Sequence, residues 1–427
     1  MDLSRIVYIY QGEQEVGRRD VDLDIVVKRI LDRDFKYPTT ESTVPVNNSL
    51  ANVCWRVVVV PGCTVNGASG FWVVWAYHHV IGDGISGQIL HRDLLRILNS
   101  GDPEVTIEDG APSPIVFLKK PDGTELNRTV TFPPSLESVF TPSLGFWYIF
   151  KAFCNEYLPF TRDVSLKLWS CGAQPAKQER FIAPTGLRTE LHTLRISNKV
   201  MLGVLNEARK HNTTFTALLE ALISLAILEV FPAHDAVRVI VVISARRWLG
   251  DKLAAYGGAE NVLGIYVTQI LQDFTRDALS SGPGEQPLAG LWAMAEWARE
   301  RIKQVIHSRG KNTNAALLQY VGSLDYHFKS KIGTHRQEGL EVSNIGVFKG
   351  EASGATSAEW DITEMRFAQS ASAVGVALTC NVASVHGGAM CLGFTWQEGV
   401  ASWEEIEKVC GRTNELLEMV GTAGLSN

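Results

Sequence analysis

Between Phe71 and Leu98 the chain changes its hydrophobic period, and it does so across seven residues, His78-His79-Val80-Ile81-Gly82-Asp83-Gly84. Upstream, Phe71-Trp72-Val73-Val74-Trp75-Ala76-Tyr77 is an apolar run of aromatic and β-branched residues, the signature of a buried strand. Downstream, Ile85, Ile89, Leu90, Leu94 and Leu98 recur at helical spacing, which predicts a helix from Gly84 to about Leu98. A strand that turns through glycine straight into a helix commits the chain to placing helices against a sheet. It also aims a histidine side chain beyond the strand end.

The surrounding pattern fits the same reading. Two apolar runs, Val53 to Val60 and Phe71 to Tyr77, are separated by Pro61, Gly62, Asn66, Gly67 and Gly70, which predicts a hairpin. Arg5 to Tyr10 reads as a strand, and Leu23, Val26, Val27, Ile30 and Leu31 as a short amphipathic helix. Ten prolines between Asn99 and about Arg188 disfavour long helices and predict an irregular crossover. Beyond it, the pattern predicts strands at 191–196, 237–244, 263–271, 340–348, 365–368, 375–385 and 390–396 and helices at 198–210, 215–231, 288–308 and 403–420. The segment from Phe215 to Phe231 is apolar around much of its circumference, as expected of a central buried helix.

A chain of 427 residues exceeds one ordinary hydrophobic core and predicts two large lobes. We expect a division into residues 1–188 and 189–427. A net charge of −6, with basic pairs such as Arg18-Arg19 and Arg246-Arg247 isolated from one another, offers no stripe for nucleic acid. The seven cysteines are odd in number and form no CxxC pair, so no metal site is expected and the thiols read as reduced packing residues. With no signal-peptide pattern at Met1 to Arg5, the expected location is cytoplasmic. The longest apolar stretch, Leu144 to Phe150, is far shorter than a spanning helix, so no transmembrane segment is expected. It reads as a core or tunnel wall in preference to a membrane contact.

Adjacent histidines on an extended backbone point to opposite faces, so His78 and His79 cannot readily converge on one ion. One faces outward and its neighbour packs. An imidazole ordinarily titrates at about 6.5, so the outward one can take a proton from a hydroxyl or amine at neutral pH. Asp83 can pair with an arginine or cap the following helix, and Gly82 and Gly84 permit tight turns. A bare HxxxD pattern is ordinarily just a core histidine and a helix cap. The second histidine, the glycines and the strand-to-helix position favour a site, and no GxSxG, Walker, HExxH or paired CxxC motif competes with it.

At these residues the chain resembles the HHxxxDG acyltransferases with the chloramphenicol-acetyltransferase-like fold, most closely the fungal alcohol acetyltransferases. Glu341-Val342-Ser343-Asn344-Ile345-Gly346 is similar to the family's SNxG stretch. Phe367-Ala368-Gln369-Ser370, Cys380-Asn381-Val382, Val385-His386-Gly387-Gly388 and Phe394-Thr395-Trp396-Gln397-Glu398-Gly399 resemble the C-terminal part of the alcohol acetyltransferases. The DFGWG motif of plant members is absent. The resemblance implies an α/β (α+β) fold of two related lobes, each a mixed sheet with flanking helices, and an active-site tunnel between them. It makes His79 the general base, His78 a packing neighbour, Gly82 and Gly84 the hinge and Asp83 a structural anchor paired with an arginine, for which Arg246 is the candidate. Ser343, Asn344, Thr395 and Trp396 are the candidates for oxyanion stabilisation or substrate contact. Leu3-Ser4-Arg5-Ile6-Val7 resembles the middle of the family's usual first segment, so an element ahead of it is expected to be missing.

The implied activity moves an acyl group, most simply acetyl, from acyl-CoA to the hydroxyl of a small specialised metabolite. Acyl-CoA enters as co-substrate, with no permanently bound cofactor. A second reading is condensation-type ester or amide formation with the acyl group on a carrier protein acting in trans, since no carrier domain is fused. A third is a degenerate member that binds a ligand or shapes a reactive intermediate without acyl transfer.

Overall fold

The computed structural model describes residues 7–9, 23–24, 27–28, 55–65, 68–99, 132–157, 167–170, 188–280, 288–317, 320–332, 334–350, 360–372 and 374–425. Its contacts group the chain into two units, and no single cut at residue 188 separates them. The smaller unit takes Met1–Ser135, Asp251–Ile265 and Gly350–Thr363; the larger takes Leu136–Gly250, Tyr266–Lys349 and Glu364–Asn427.

The smaller unit is built on a three-stranded sheet of β1 (Val7–Ile9), β2 (Trp55–Val65) and β3 (Ala68–Tyr77). β1 runs parallel to β2, and β2 pairs antiparallel with β3 from Trp55↔Tyr77 to Val65↔Ala68. The hairpin is as expected, but its strands continue through the Pro61 and Gly70 positions read as a loop. A bulge between Pro61 and Cys63 absorbs the irregularity that a residue without an N–H imposes on a ladder. The helix that follows, α1 (Gly84–Asn99), buries Ser86, Ile89 and Leu95. It is tied to β3 through His91, whose Nε2 lies 3.2 Å from the Val73 carbonyl oxygen. Late segments complete the unit. Asn99 exchanges two 2.9 Å hydrogen bonds with the Trp360 backbone, and Arg92 donates to Asn261 Oδ1 at 2.6 Å.

Six strands form the sheet of the larger unit: β4 (Thr189–Ile196), β5 (Ala236–Ser244), β6 (Val267–Thr275), β7 (Leu340–Phe348), β8 (Leu378–Val385) and β9 (Met390–Gln397). They lie in the order β4-β9-β8-β7-β5-β6. The β5–β7 and β7–β8 pairs are parallel and the others antiparallel, a mixed sheet as expected. Its labelled helices are α2 (Phe146–Tyr157), α3 (Asn198–Lys210), α4 (Phe215–Val230), α5 (Ala289–His307) and α6 (Trp403–Leu425). Leu218, Leu222 and Ile223 of α4 pack with Val239, Val342, Cys380, Leu392 and Phe394 of the strands, so α4 is the core of this layer. Ser197 and Thr214 cap α3 and α4 through their side-chain oxygens. At the other end of α4, the Arg276 guanidinium donates to the Leu228 carbonyl of the last turn, which the helix cannot pair, and to the Phe231 and His234 carbonyls just beyond it. α3 and α6 meet along glycines: a Cβ on Gly203 or Gly424 would collide with the other helix's backbone.

Three expectations are corrected. The strand expected at 263–271 begins at Val267, because Leu263 and Gly264 belong to the segment that receives the start of α1. Residues 365–368 form no strand; they cross the sheet as an extended strap, with the Phe367 carbonyl over Gly393, where a Cβ would leave no room. The apolar run at Leu144 to Phe150 starts a 12-residue helix, α2, whose Phe146, Trp147 and Phe150 are 73%, 76% and 51% exposed and are therefore not core. Of the expected crossover, residues 100–131, 158–166 and 171–187 lie outside the described residues.

Candidate active site

β3 ends at Tyr77, one residue before the histidine pair, so His78 and His79 stand in a turn and not on extended backbone. The Ile81 N–H donates to the His78 carbonyl at 3.0 Å, and the Val80 N–H donates to His78 Nδ1 at 3.1 Å. An Nδ1 that accepts leaves the ring proton on Nε2, so the His78 ring is part of the turn. His79 is exposed, and among the described residues its ring makes no hydrogen bond. The turn thus engages the His78 ring and leaves His79 exposed, and strand alternation, the expected cause, plays no part.

Asp83 is 1% exposed and sits at the N-cap of α1. Its Oδ1 accepts from the Ser86 N–H at 2.9 Å and from the Ser86 hydroxyl at 3.0 Å, which satisfies one of the donors that a helix start leaves open. Its backbone is held as firmly. Its N–H donates to the Gly264 carbonyl at 3.1 Å, and its own carbonyl accepts from the Tyr77 hydroxyl at 2.6 Å. The Ser86 hydroxyl oxygen in turn accepts from the Gly264 N–H at 3.2 Å. Gly264 takes φ 152°, a backbone conformation natural to glycine. Gly82 is needed for space and not for positive φ: a Cβ there would come within 2.9 Å of Ser86 Cβ and 3.3 Å of the Tyr77 ring.

Tyr77, Ser86 and Gly264 were not among the residues expected at the site. The first two were legible in principle, as the polar end of an apolar strand and as a serine three residues after a capping aspartate. Gly264 lies 181 residues beyond Asp83, and no local signal links them.

The remaining candidates belong to the larger unit. Arg246 follows β5 in a short helical turn, is 6% exposed, and holds its guanidinium carbon 4.9 Å from the centre of the Tyr266 ring. Ser343 and Asn344, on β7, face opposite sides of the sheet. Asn344 Nδ2 donates to Thr216 Oγ1 of α4 at 3.0 Å and its Oδ1 accepts from the Gly346 N–H at 2.8 Å, across a bulge where Gly346 takes φ 85°. Trp396 lies in the helix-facing core, 5.4 Å from the Trp403 ring, so it packs and does not line a surface. Thr395 points to the other face, in register with Thr379, which is in register with Glu341. That face carries a polar network under the strap: Gln369 Nε2 donates to Glu341 Oε1 at 3.0 Å and to Asn381 Oδ1 at 2.9 Å. Among the described residues no three His, Cys, Asp or Glu side chains gather as a metal site. Burial pushes the Cys391 thiol up to about 12, and Cys380 and Cys410 are also buried and raised, which suits packing thiols.

The two sheets, their helices and the strand-end histidine turn define a chloramphenicol-acetyltransferase-like acyltransferase fold. The structure is similar to TRI3, the trichothecene 15-O-acetyltransferase of Fusarium sporotrichioides, with a TM-score of 0.54 and 13% identity over 86% of this chain and 70% of that one. It is similar also to the epimerization domain from the third module of tyrocidine synthetase B, with a TM-score of 0.53 and 11% identity over 94% of this chain and 77% of that one. The chain belongs to the alcohol acetyltransferase family, whose model matches residues 30–417. Among curated relatives, the probable alcohol acetyltransferase crmB of Aspergillus fumigatus is 26% identical over 93% of this chain and 76% of its own length. The probable alcohol acetyltransferase FCK4 of Fusarium pseudograminearum is 26% identical over 78% of this chain and 64% of its own. Membership assigns the chain to the acyltransferases.

Proposed function

We propose that the chain transfers an acetyl group from acetyl-CoA to a hydroxyl of a small specialised metabolite, with His79 as general base. The observation that carries this reading is the exposed His79 imidazole, which makes no hydrogen bond among the described residues, in a turn where the His78 ring and Asp83 are engaged. The ring takes the proton of the acceptor hydroxyl as its oxygen attacks the thioester carbonyl. The tetrahedral intermediate then expels the CoA thiolate, which takes that proton back from the imidazolium. Positioning of the two substrates supplies most of the acceleration, and the base contributes roughly 10²- to 10⁴-fold. Asp83 acts through structure: its cap and the Gly264 contacts hold the turn, and so fix where His79 begins its search for the hydroxyl.

The test is thiol release from acetyl-CoA in the presence of a panel of alcohols. His79→Ala is expected to lower turnover roughly 10²- to 10⁴-fold with the fold intact. Release that does not depend on His79 overturns the assignment of the base. Transfer from a phosphopantetheine-bound acetyl group, with none from CoA, moves the donor to a carrier protein and leaves the base in place.

A further inference from the structure

Helix α2 presents an aromatic stripe that packing does not use. Phe146, Trp147 and Phe150 are all more than half exposed, and their rings touch one another at centroid separations of 5.5, 6.4 and 6.1 Å. The opposite side of the helix, Tyr148, Ile149 and Ala152, is half-buried against the unit. The helix is firmly seated. The Gly145 N–H donates to Asn312 Oδ1 at 2.8 Å, the Asn312 N–H to the Ser143 carbonyl at 3.1 Å, and the Tyr148 hydroxyl to Asn314 Oδ1 at 3.4 Å. Phe140 stacks on Trp248 at 5.2 Å directly before the helix, with Gly310 against both rings.

The helix and the segments that seat it carry positive charge. Lys151 lies one turn from Trp147 on the same helix, and Lys311 precedes the Asn312 that holds the helix start. Arg309 donates to the Trp248 carbonyl, and Arg247 precedes that tryptophan. All four side chains are exposed. From Arg301 to Leu324 there is no acidic residue, and Glu137 and Glu156 are the acids of the 132–157 segment. In a chain of net charge −6 this is a local reversal of sign.

We infer that α2 is a peripheral docking surface for an anionic lipid bilayer. Tryptophan and phenylalanine on one side of a short, firmly seated helix suit the boundary between headgroups and acyl chains, and the cations around them meet the lipid phosphates. A protein partner would have to accommodate Lys151 and Lys311 as well as the rings, and lysine is depleted in protein interfaces. The 12-residue helix lies in the interface and does not span it.

The experiment is flotation of the full chain with phosphatidylcholine vesicles, with and without about a quarter phosphatidylserine. Binding is expected on the anionic vesicles, weakening several-fold at high salt. A Phe146→Ser/Trp147→Ser/Phe150→Ser variant is expected to lose it while keeping its melting temperature, because the deleted rings are exposed. Lys151→Glu/Lys311→Glu is expected to cut anionic binding by roughly fivefold per cation. Absence of vesicle binding at low salt, equal binding by both variants, or a dimer in light scattering that Trp147→Ser dissolves each overturns the inference, the last by assigning the stripe to a second copy.

Discussion

Asp83 does its work without touching solvent. Its carboxylate closes the start of α1, and its main chain links the strand end, through Tyr77, to Gly264. Asp83→Ala leaves the buried Ser86 N–H and hydroxyl with one acceptor fewer, and we expect a loss of about 1–2 kcal/mol in urea unfolding, with Asp83→Asn recovering most of it. Glu220 is the opposite case. It is wholly buried in α4, its Oε2 accepts from Gln272 Nε2 at 2.9 Å, and burial pushes its pKa well above the carboxylate range. The folded protein therefore holds a proton that the unfolded chain gives up above pH ~4.5, so this group's contribution to stability falls as pH rises from there towards the raised native value. Glu220→Gln keeps the hydrogen bond and removes the titration. We expect the variant to gain on the wild type as pH is raised from 5 to 8; an unchanged difference would place the ionised form in the core. The exposed position of His79 and the capping role of Asp83 were legible because both stand out at a change of period. The facing of Asn344 and Trp396 was not, because strand parity is set by register and a motif does not reveal which face its residues take.

Helices α3 and α4 have boundaries that patterning anticipated closely, since each begins at a capping serine or threonine and carries a clear apolar face. The strap at 364–372 was misread because an extended segment alternates like a strand whether or not it finds a ladder, and this one makes its contacts with side chains such as Gln369. Helix α2 was hidden by prolines that bracket it without interrupting it. The seam between α3 and α6 gives a direct test of packing. Gly203 faces Gly421 and Gly424 backbone to backbone, so Gly203→Ala must push the helices apart, at a cost of roughly 1–3 kcal/mol. Thermal unfolding measures it, and Gly411→Ala, where nothing lies within 4 Å, is the control expected to be neutral or better.

The two-unit organisation of the molecule and its mixed sheets were legible, the former from length and both from a motif that carries a family with it. The assignment of segments was not: 251–265 and 350–363 join the smaller unit and 136–188 the larger, and hydrophobic pattern is blind to which of two cores a segment enters. The strand order of the larger sheet has a further consequence for biosynthesis. β4 leaves the ribosome early, yet among the described residues its one strand partner is β9, about two hundred residues later, while β5 and β6 pair antiparallel at the far side and wait for β7 and β8 to bridge the gap. Until Gln397 has emerged, the nascent chain carries the lone strand β4 and a four-stranded piece with an unpaired edge at β8, beside a helix as greasy as α4, which invites chaperone capture and misassociation. Stalled chains ending shortly before β9 are therefore expected to be cleaved by protease within β4 and α4, and chains that expose β9 and α6 to resist; protection of the shorter chains would show that the early segments settle without their late partner.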